Sequence, residues 1–65
     1  MRYFFHIEDR RFFCRDEKGG DFPSLAAAFG HASRVAGELR DEGDHAGGSI
    51  VINDMHRSVI LRVWI

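Results

Sequence analysis

The 65-residue sequence predicts an α+β fold: a four-stranded antiparallel sheet in the element order ββαββ, with one helix packed on one face. Apolar residues recur with the helical period in a single segment, residues 24–43, and with a two-residue period in segments on both sides of it. One helix can cover only one face of such a sheet. A chain of this length forms one domain, so we predict a single domain over residues 1–65.

The first hairpin is predicted from the alternation of residues 2–8, which resumes in residues 11–15 and is rich in aromatic residues. A two-residue turn at Asp9-Arg10 would pair Ile7 with Phe12. This register divides the hairpin into an inner set (Tyr3, Phe5, Ile7, Phe12 and Cys14) and an outer set (Phe4, His6, Phe13 and Arg15). A slip by one residue would mix the two sets.

The helix is predicted to begin after the N-cap Ser24, to run from Leu25 to about Glu42, and to close at Gly43. Its apolar stripe, which we expect to face the sheet, consists of Leu25, Ala28, Phe29, Ala32, Val35, Ala36 and Leu39. Its polar side carries His31, Arg34, Glu38, Asp41 and Glu42. A flank of small residues, Ala26, Gly30, Ser33 and Gly37, is a second candidate contact surface.

The second hairpin is predicted over residues 49–53 and 58–65, with a turn at Met55-His56 that pairs Ile52 with Val59. Its inner set is Ile50, Ile52, Val59, Leu61, Val63 and Ile65, and its outer set is Val51, Ile60, Arg62 and Trp64. We expect the first and last strands to lie at the centre of the sheet.

Composition and charge narrow the function classes. The net charge of −1 carries no signal for binding a polyanion. The apolar run at the start is too short for a signal peptide and no segment is long enough to span a bilayer, so we expect a cytoplasmic protein without a membrane partner. Cys14 is the single cysteine, which excludes a disulfide within one chain.

No residue pattern indicates catalysis. Cys14 and His6 lie on opposite faces of the predicted hairpin, which argues against a nucleophile pair and favours a core cysteine and a half-exposed histidine. His31, His45 and His56 are scattered over a helix, a linker and a turn, and no carboxylates are paired for acid–base work. We therefore expect a non-enzymatic protein that needs no cofactor and binds no metal.

The uncovered face of the sheet is the candidate interaction surface, because its apolar residues exceed what a solvated face carries. The predicted surface consists of Phe4, His6, Phe13, Arg15, Val51, Ile60, Arg62 and Trp64. It could contact another copy of the chain or another protein, or it could stack single-stranded nucleic acid. The order of elements and the net charge favour the protein partner, most simply a homo-oligomer such as a dimer.

Several short motifs together resemble one known family. They are RYFFHI at residues 2–7, D-E-x-G at Asp16–Gly19, the leucine that starts the alanine-rich helix, and I-x-I-x-D at residues 50–54. They resemble a family of short, mostly alphaproteobacterial proteins classed as a domain of unknown function, over nearly the whole chain. In that family the last turn often contains a glycine, whereas here the turn is Met55-His56-Arg57. The resemblance implies a bacterial protein, and the family supplies no activity that could be transferred to this chain.

Overall fold

The computed structural model describes residues 1–65 and contains one helix and one antiparallel sheet. The elements are β1 (Arg2–Glu8), β2 (Phe13–Cys14), β3 (Gly20–Asp21), α1 (Leu25–Glu42), β4 (Ser49–Asn53) and β5 (Val59–Trp64). The predicted α+β class, with one helix packed on one face of the sheet, is confirmed. The sheet has five strands rather than four, because the very short β3 pairs with the start of β1.

The strands lie in the order β2-β1-β4-β5, with β3 on the same side of β1 as β2. The prediction that the last strand is central is therefore wrong: β1 and β4 form the centre, and β5 is an edge. The burial of β4 explains the difference. Ile50, Val51 and Ile52 are 0–4% exposed, so β4 is covered on both faces, as a continuous apolar run requires.

Both hairpin turns are longer than predicted, because an aspartate side chain bonds backbone N–H groups inside each turn. Asp9 Oδ1 accepts from the N–H groups of Arg11 (2.7 Å) and Phe12 (2.8 Å), and Ile7 consequently pairs with Cys14 instead of Phe12. Phe12 lies in the turn, 57% exposed, and leaves the inner set. A shift of two residues preserves the faces of the remaining residues.

In the second turn Asp54 Oδ1 accepts from the N–H groups of His56 (2.8 Å) and Ser58 (3.0 Å). Ile52 pairs with Leu61, and a bulge next to it places Val59 opposite Asn53. Val59 thus moves from the predicted inner set to the other face and is 62% exposed. Arg57 has a φ of 65°, a left-handed conformation that glycine adopts without strain.

The helix begins and ends as predicted. Ser24 Oγ accepts from the Ala27 N–H at 3.1 Å, and Gly43 has the left-handed φ of 76°. Ala28, Ala32 and Ala36 are at most 1% exposed and recur every four residues, so their small side chains let the helix lie close to the sheet. They pack against a core that also contains Tyr3, Ile50 and Ile52.

The helix backbone lies closest to β4 and β5, and this position changes the assignment of three helix residues. Leu25 and Phe29, predicted to face the sheet, remain 37% and 44% exposed. His31, predicted on the polar side, packs its ring 5.2 Å from the rings of both Phe5 and Phe22. Phe22 and His31 thereby cover the part of β1 that the helix backbone does not reach.

The free side of β1 is closed by the D-E-x-G segment. Asp16 Oδ2 accepts from the Phe5 N–H at 3.1 Å, and Asp16 Oδ1 accepts from the Lys18 and Gly19 N–H groups at 3.3 and 3.0 Å. Gly19 has a φ of 69°, and a Cβ there would lie 2.7 Å from the Tyr3 carbonyl oxygen. The motif therefore needs a carboxylate at its first position and a glycine at its last.

We expect the protein to lose stability at acid pH through Asp9 and Asp16. Hydrogen bonds from His45 and from the Arg11 and Phe12 N–H groups lower the pKa of Asp9 below 3.8. Burial would raise the pKa of Asp16, but bonds from backbone N–H groups and the nearby His6 outweigh it and lower this pKa too. A carboxyl group whose pKa is lowered by folding stabilises the folded state at pH values above its pKa in the unfolded state. That stability is lost as the pH falls through the pKa of the group in the folded state.

The melting temperature should therefore be constant from pH 6 to about 5 and fall below about pH 4. Asp16→Asn should reduce the decrease in melting temperature below about pH 4, because the amide does not titrate. A parent protein whose melting temperature is the same at pH 2.5 as at pH 6 would refute this assignment.

Candidate interaction surface

The face of the sheet opposite the helix, called here the outer face, is built from three rows of side chains that cross the strands. The first row is Phe13, Glu8, Ser49 and Trp64; the second is His6, Val51 and Arg62; the third is Phe4, Asn53 and Val59. The interaction surface predicted from the sequence omits Glu8, Ser49 and Asn53, although alternation along β1 and β4 places them on this face.

Large apolar side chains stand exposed on this face. Phe13 is 58% exposed, Trp64 65% and Val59 62%, and Ile60, beside the bulge, is 37% exposed. Phe13 and Trp64 lie at the two ends of the same row, on opposite edges of the sheet. The exposed apolar surface thus extends over the full width of the outer face.

His6 and Val51 form the floor of the outer face rather than its contact surface. They are 8% and 4% exposed, because neighbouring side chains of the same chain cover them. The ring of Phe13 lies 5.4 Å from that of His6, and His6 Nδ1 accepts from the Asp16 N–H at 2.9 Å. The expectation of a half-exposed His6 at the rim is wrong, because the segment around Asp16 packs against the imidazole ring.

Arg62 organises one half of the outer face. Its Nη1 donates to Ser49 Oγ at 2.8 Å and lies 3.5 Å from Glu8 Oε1. Its guanidinium carbon lies 5.6 Å from the centroid of the Trp64 ring, within the range of a cation–π contact. Arg62 therefore holds Trp64 in place from the edge strand β5.

Phe4 and Arg15 lie toward the other end of the outer face. Phe4 is half-buried and Arg15 is exposed. Both line an open cleft together with Arg57 and Asn53. The buried Oδ1 atom of Asn53 has no hydrogen-bond partner within the chain.

The structure separates the residues that could have formed a nucleophilic pair. Cys14 lies opposite Ile7, on the face away from His6. Cys14 is exposed, so the expectation of a core cysteine is wrong. His45 is held by Asp9, with 2.6 Å between Nδ1 and Oδ2, in the connection that leads into β4. No three His, Cys, Asp or Glu side chains are grouped to hold a metal ion.

The helix is not long and apolar enough to cross a membrane. A family model described as "Domain of unknown function (DUF6894)" matches residues 2–65 of the chain. No curated protein and no solved structure matches the chain significantly.

Proposed function

Because this chain belongs to the DUF6894 family, whose description assigns no activity, we propose its function from its surface: it is a non-catalytic protein-interaction module that self-associates through the outer face. The observation that carries this proposal is the exposure of Phe13 and Trp64, at 58% and 65%, on a sheet face without a covering layer. Exposed aromatic side chains beside arginine are the usual anchors of protein interfaces.

The small core supports the same proposal. Only 10 of the 65 residues are buried, and most of them belong to β4 and the alanines of α1. A chain of this size buries only about 60% of the surface that its unfolded form exposes, so one copy alone is marginally stable. Pairing two outer faces would remove the exposed aromatic surface from water and add the burial that one copy lacks.

The charges on the outer face are compatible with a second copy. Arg15 and Arg62 provide positive charge, and Glu8 lies 3.5 Å from Arg62. Two copies related by a two-fold axis would bring both signs of charge to the interface rather than two like-charged surfaces. The net charge of the whole chain, −1, provides no long-range attraction for a nucleic-acid backbone.

Two adjacent phenylalanines provide a matched test. Phe13 stands on the outer face and Phe12 in the neighbouring turn, and their exposures, 58% and 57%, are nearly equal. We expect Phe13→Glu to halve the molar mass in solution, because it would place a carboxylate in the interface, while Phe12→Glu keeps the parent mass. Light scattering with circular dichroism on both variants checks this.

The opposite pattern would overturn the proposal. If Phe12→Glu lowers the mass and Phe13→Glu does not, the contact lies at the turn. If neither variant changes the mass of an oligomeric parent, the outer face is not the contact surface.

A further inference from the structure

One edge of the sheet is covered by other parts of the chain and the other edge is not, and this difference points to a second contact. Natural proteins cover or blunt the free edges of sheets, because unpaired N–H and C=O groups recruit other strands. The β1 side is closed by β2, by β3 and by the Asp16 carboxylate, which accepts from the Phe5 N–H. The β5 side has no such cover, although β5 is six residues long and contains a single charged residue.

The backbone groups of β5 that point outward can be identified from its pairing with β4. Ile65 N donates to Gly48 O at 3.0 Å, and Val63 pairs with Ile50 in the same register. Hydrogen bonding alternates along an antiparallel strand, so the N–H and C=O groups of Arg62 and Trp64 face away from β4. The one bond to this edge is long, at 3.4 Å from Arg40 Nη2 to the Trp64 carbonyl oxygen.

We infer that the β5 edge pairs with the β5 edge of a second copy, antiparallel and about a two-fold axis at Val63. This contact is separate from the outer-face contact proposed above, and it would join two sheets into one. In this register Arg62 of each copy lies opposite Trp64 of the other, and their outward-facing N–H and C=O groups bond reciprocally. On the inner face, Leu61 of each copy lies opposite Ile65 of the other.

Self-complementarity favours this register over those centred on Arg62 and Leu61. A pairing centred on Arg62 would set two arginines directly opposite each other, which is destabilising. A pairing centred on Leu61 would require regular hydrogen bonds from Ile60, which the bulge next to Ile52 makes the unmatched residue of β5. The register at Val63 avoids both problems and lets each guanidinium contact a tryptophan ring of the other copy.

The position of the helix fits the same arrangement. The helix backbone lies over β4 and β5, and Arg40 reaches the β5 edge. Joining two β5 strands at about 4.8 Å would place the two helices side by side on the same face of the joined sheet. The helix flank on that side includes Ser33 and Gly37, and a Cβ built on Gly37 meets no atom within 4 Å of its own chain. The small-residue flank would thus lie beside the second helix.

The outer-face contact is made by side chains and the edge contact by backbone groups of β5, so both can form in one assembly. Two closed two-fold contacts then predict an assembly of four copies. The Phe13→Glu protein isolates the edge contact, because its outer face is blocked while β5 is unchanged. We expect it to have twice the 7.4 kDa mass of the chain in solution. A mass of 7.4 kDa would overturn the edge contact and leave the outer face as proposed. A mass of four copies would overturn the outer-face contact instead.

Proline tests the outward N–H group directly in that Phe13→Glu background. Arg62→Pro removes the N–H that the second copy would bind, but no bond to β4, so an edge strand tolerates it. Arg62→Ala is the matched control, since it removes the same side chain and retains the N–H. We expect one copy for the proline variant and two copies for the alanine variant. Equal masses for the two folded variants would overturn the edge contact.

If Arg62→Pro unfolds, amide hydrogen exchange on the Phe13→Glu protein tests the edge contact without any substitution in β5. A free edge predicts that the N–H groups of Leu61 and Val63 are protected while those of Arg62 and Trp64 exchange rapidly. The paired edge predicts that all four are protected, and more strongly at higher protein concentration. Rapid exchange at Arg62 and Trp64 at every concentration would overturn the inference.

Discussion

Replacing Ala32 by aspartate is expected to unfold the domain at room temperature. Ala32 is 0% exposed at the middle of the alanine stripe that lies against the sheet. A carboxylate there would be buried among apolar side chains without a partner, at a cost of at least about 3 kcal/mol. The whole free energy of unfolding of a 65-residue domain is roughly 3–10 kcal/mol, and a domain with this small core lies toward the low end, so this single change removes most or all of it.

Ala26→Asp is the matched control for Ala32→Asp. Ala26 lies in the first turn of the same helix, is exposed, and has no acidic neighbour in that turn. An acidic residue at a helix N-terminus interacts favourably with the helix dipole, so the control should melt at the parent temperature or slightly above it. Thermal melts followed by circular dichroism compare the two. A parent-like melt for Ala32→Asp would show that the alanine stripe does not face the sheet.

Asp16→Ala is expected to have the second largest effect. Its carboxylate accepts from three backbone N–H groups, those of Phe5, Lys18 and Gly19, and thereby closes the β1 side of the sheet. Hydrogen bonds to a charged group contribute about 1.5–3 kcal/mol each and are not additive here, so we expect a loss of roughly 2–4 kcal/mol. The freed edge should also promote non-specific association.

Glu17→Ala is the control for this change, because Glu17 is the adjacent acidic residue and is exposed. We expect its free energy of unfolding to lie within about 0.5 kcal/mol of the parent value. Urea titrations of both variants measure the difference. Equal stabilities for Asp16→Ala and Glu17→Ala would mean that the carboxylate is not what closes this edge.

Alternation in the sequence predicts the faces of most strand residues, but it predicts neither the turn lengths nor the bulge that moves Val59 to the other face. Ile50 and Ile52 face the helix and Val51 faces away, because side chains alternate along any strand. The registers differ from prediction because Asp9 and Asp54 each bond two backbone N–H groups, and such bonds leave no periodic trace in a sequence. A strand of two residues, such as β3, has no period to detect.

The candidate surface was partly predictable for a similar reason. Phe13 and Trp64 are exposed on the predicted face because their positions depend only on alternation. The burial of His6 and Val51 depends on which strands are neighbours: the Phe13 ring of β2 lies 5.4 Å from the His6 ring, and Val51 lies between β1 and β5 in the sheet. Predicting that β5 is an edge strand would require the strand order, which cannot be derived from this sequence. That the outer face binds another copy stays a prediction.

The molar mass of the parent protein in solution tests the central claim of self-association most directly. Light scattering coupled to size exclusion, over a concentration series around tens of micromolar, separates a single chain of 7.4 kDa from its multiples. Self-association through the outer face predicts an even multiple of that mass, and four copies if the β5 edges also pair. A parent that remains at 7.4 kDa throughout the series would contradict both contacts.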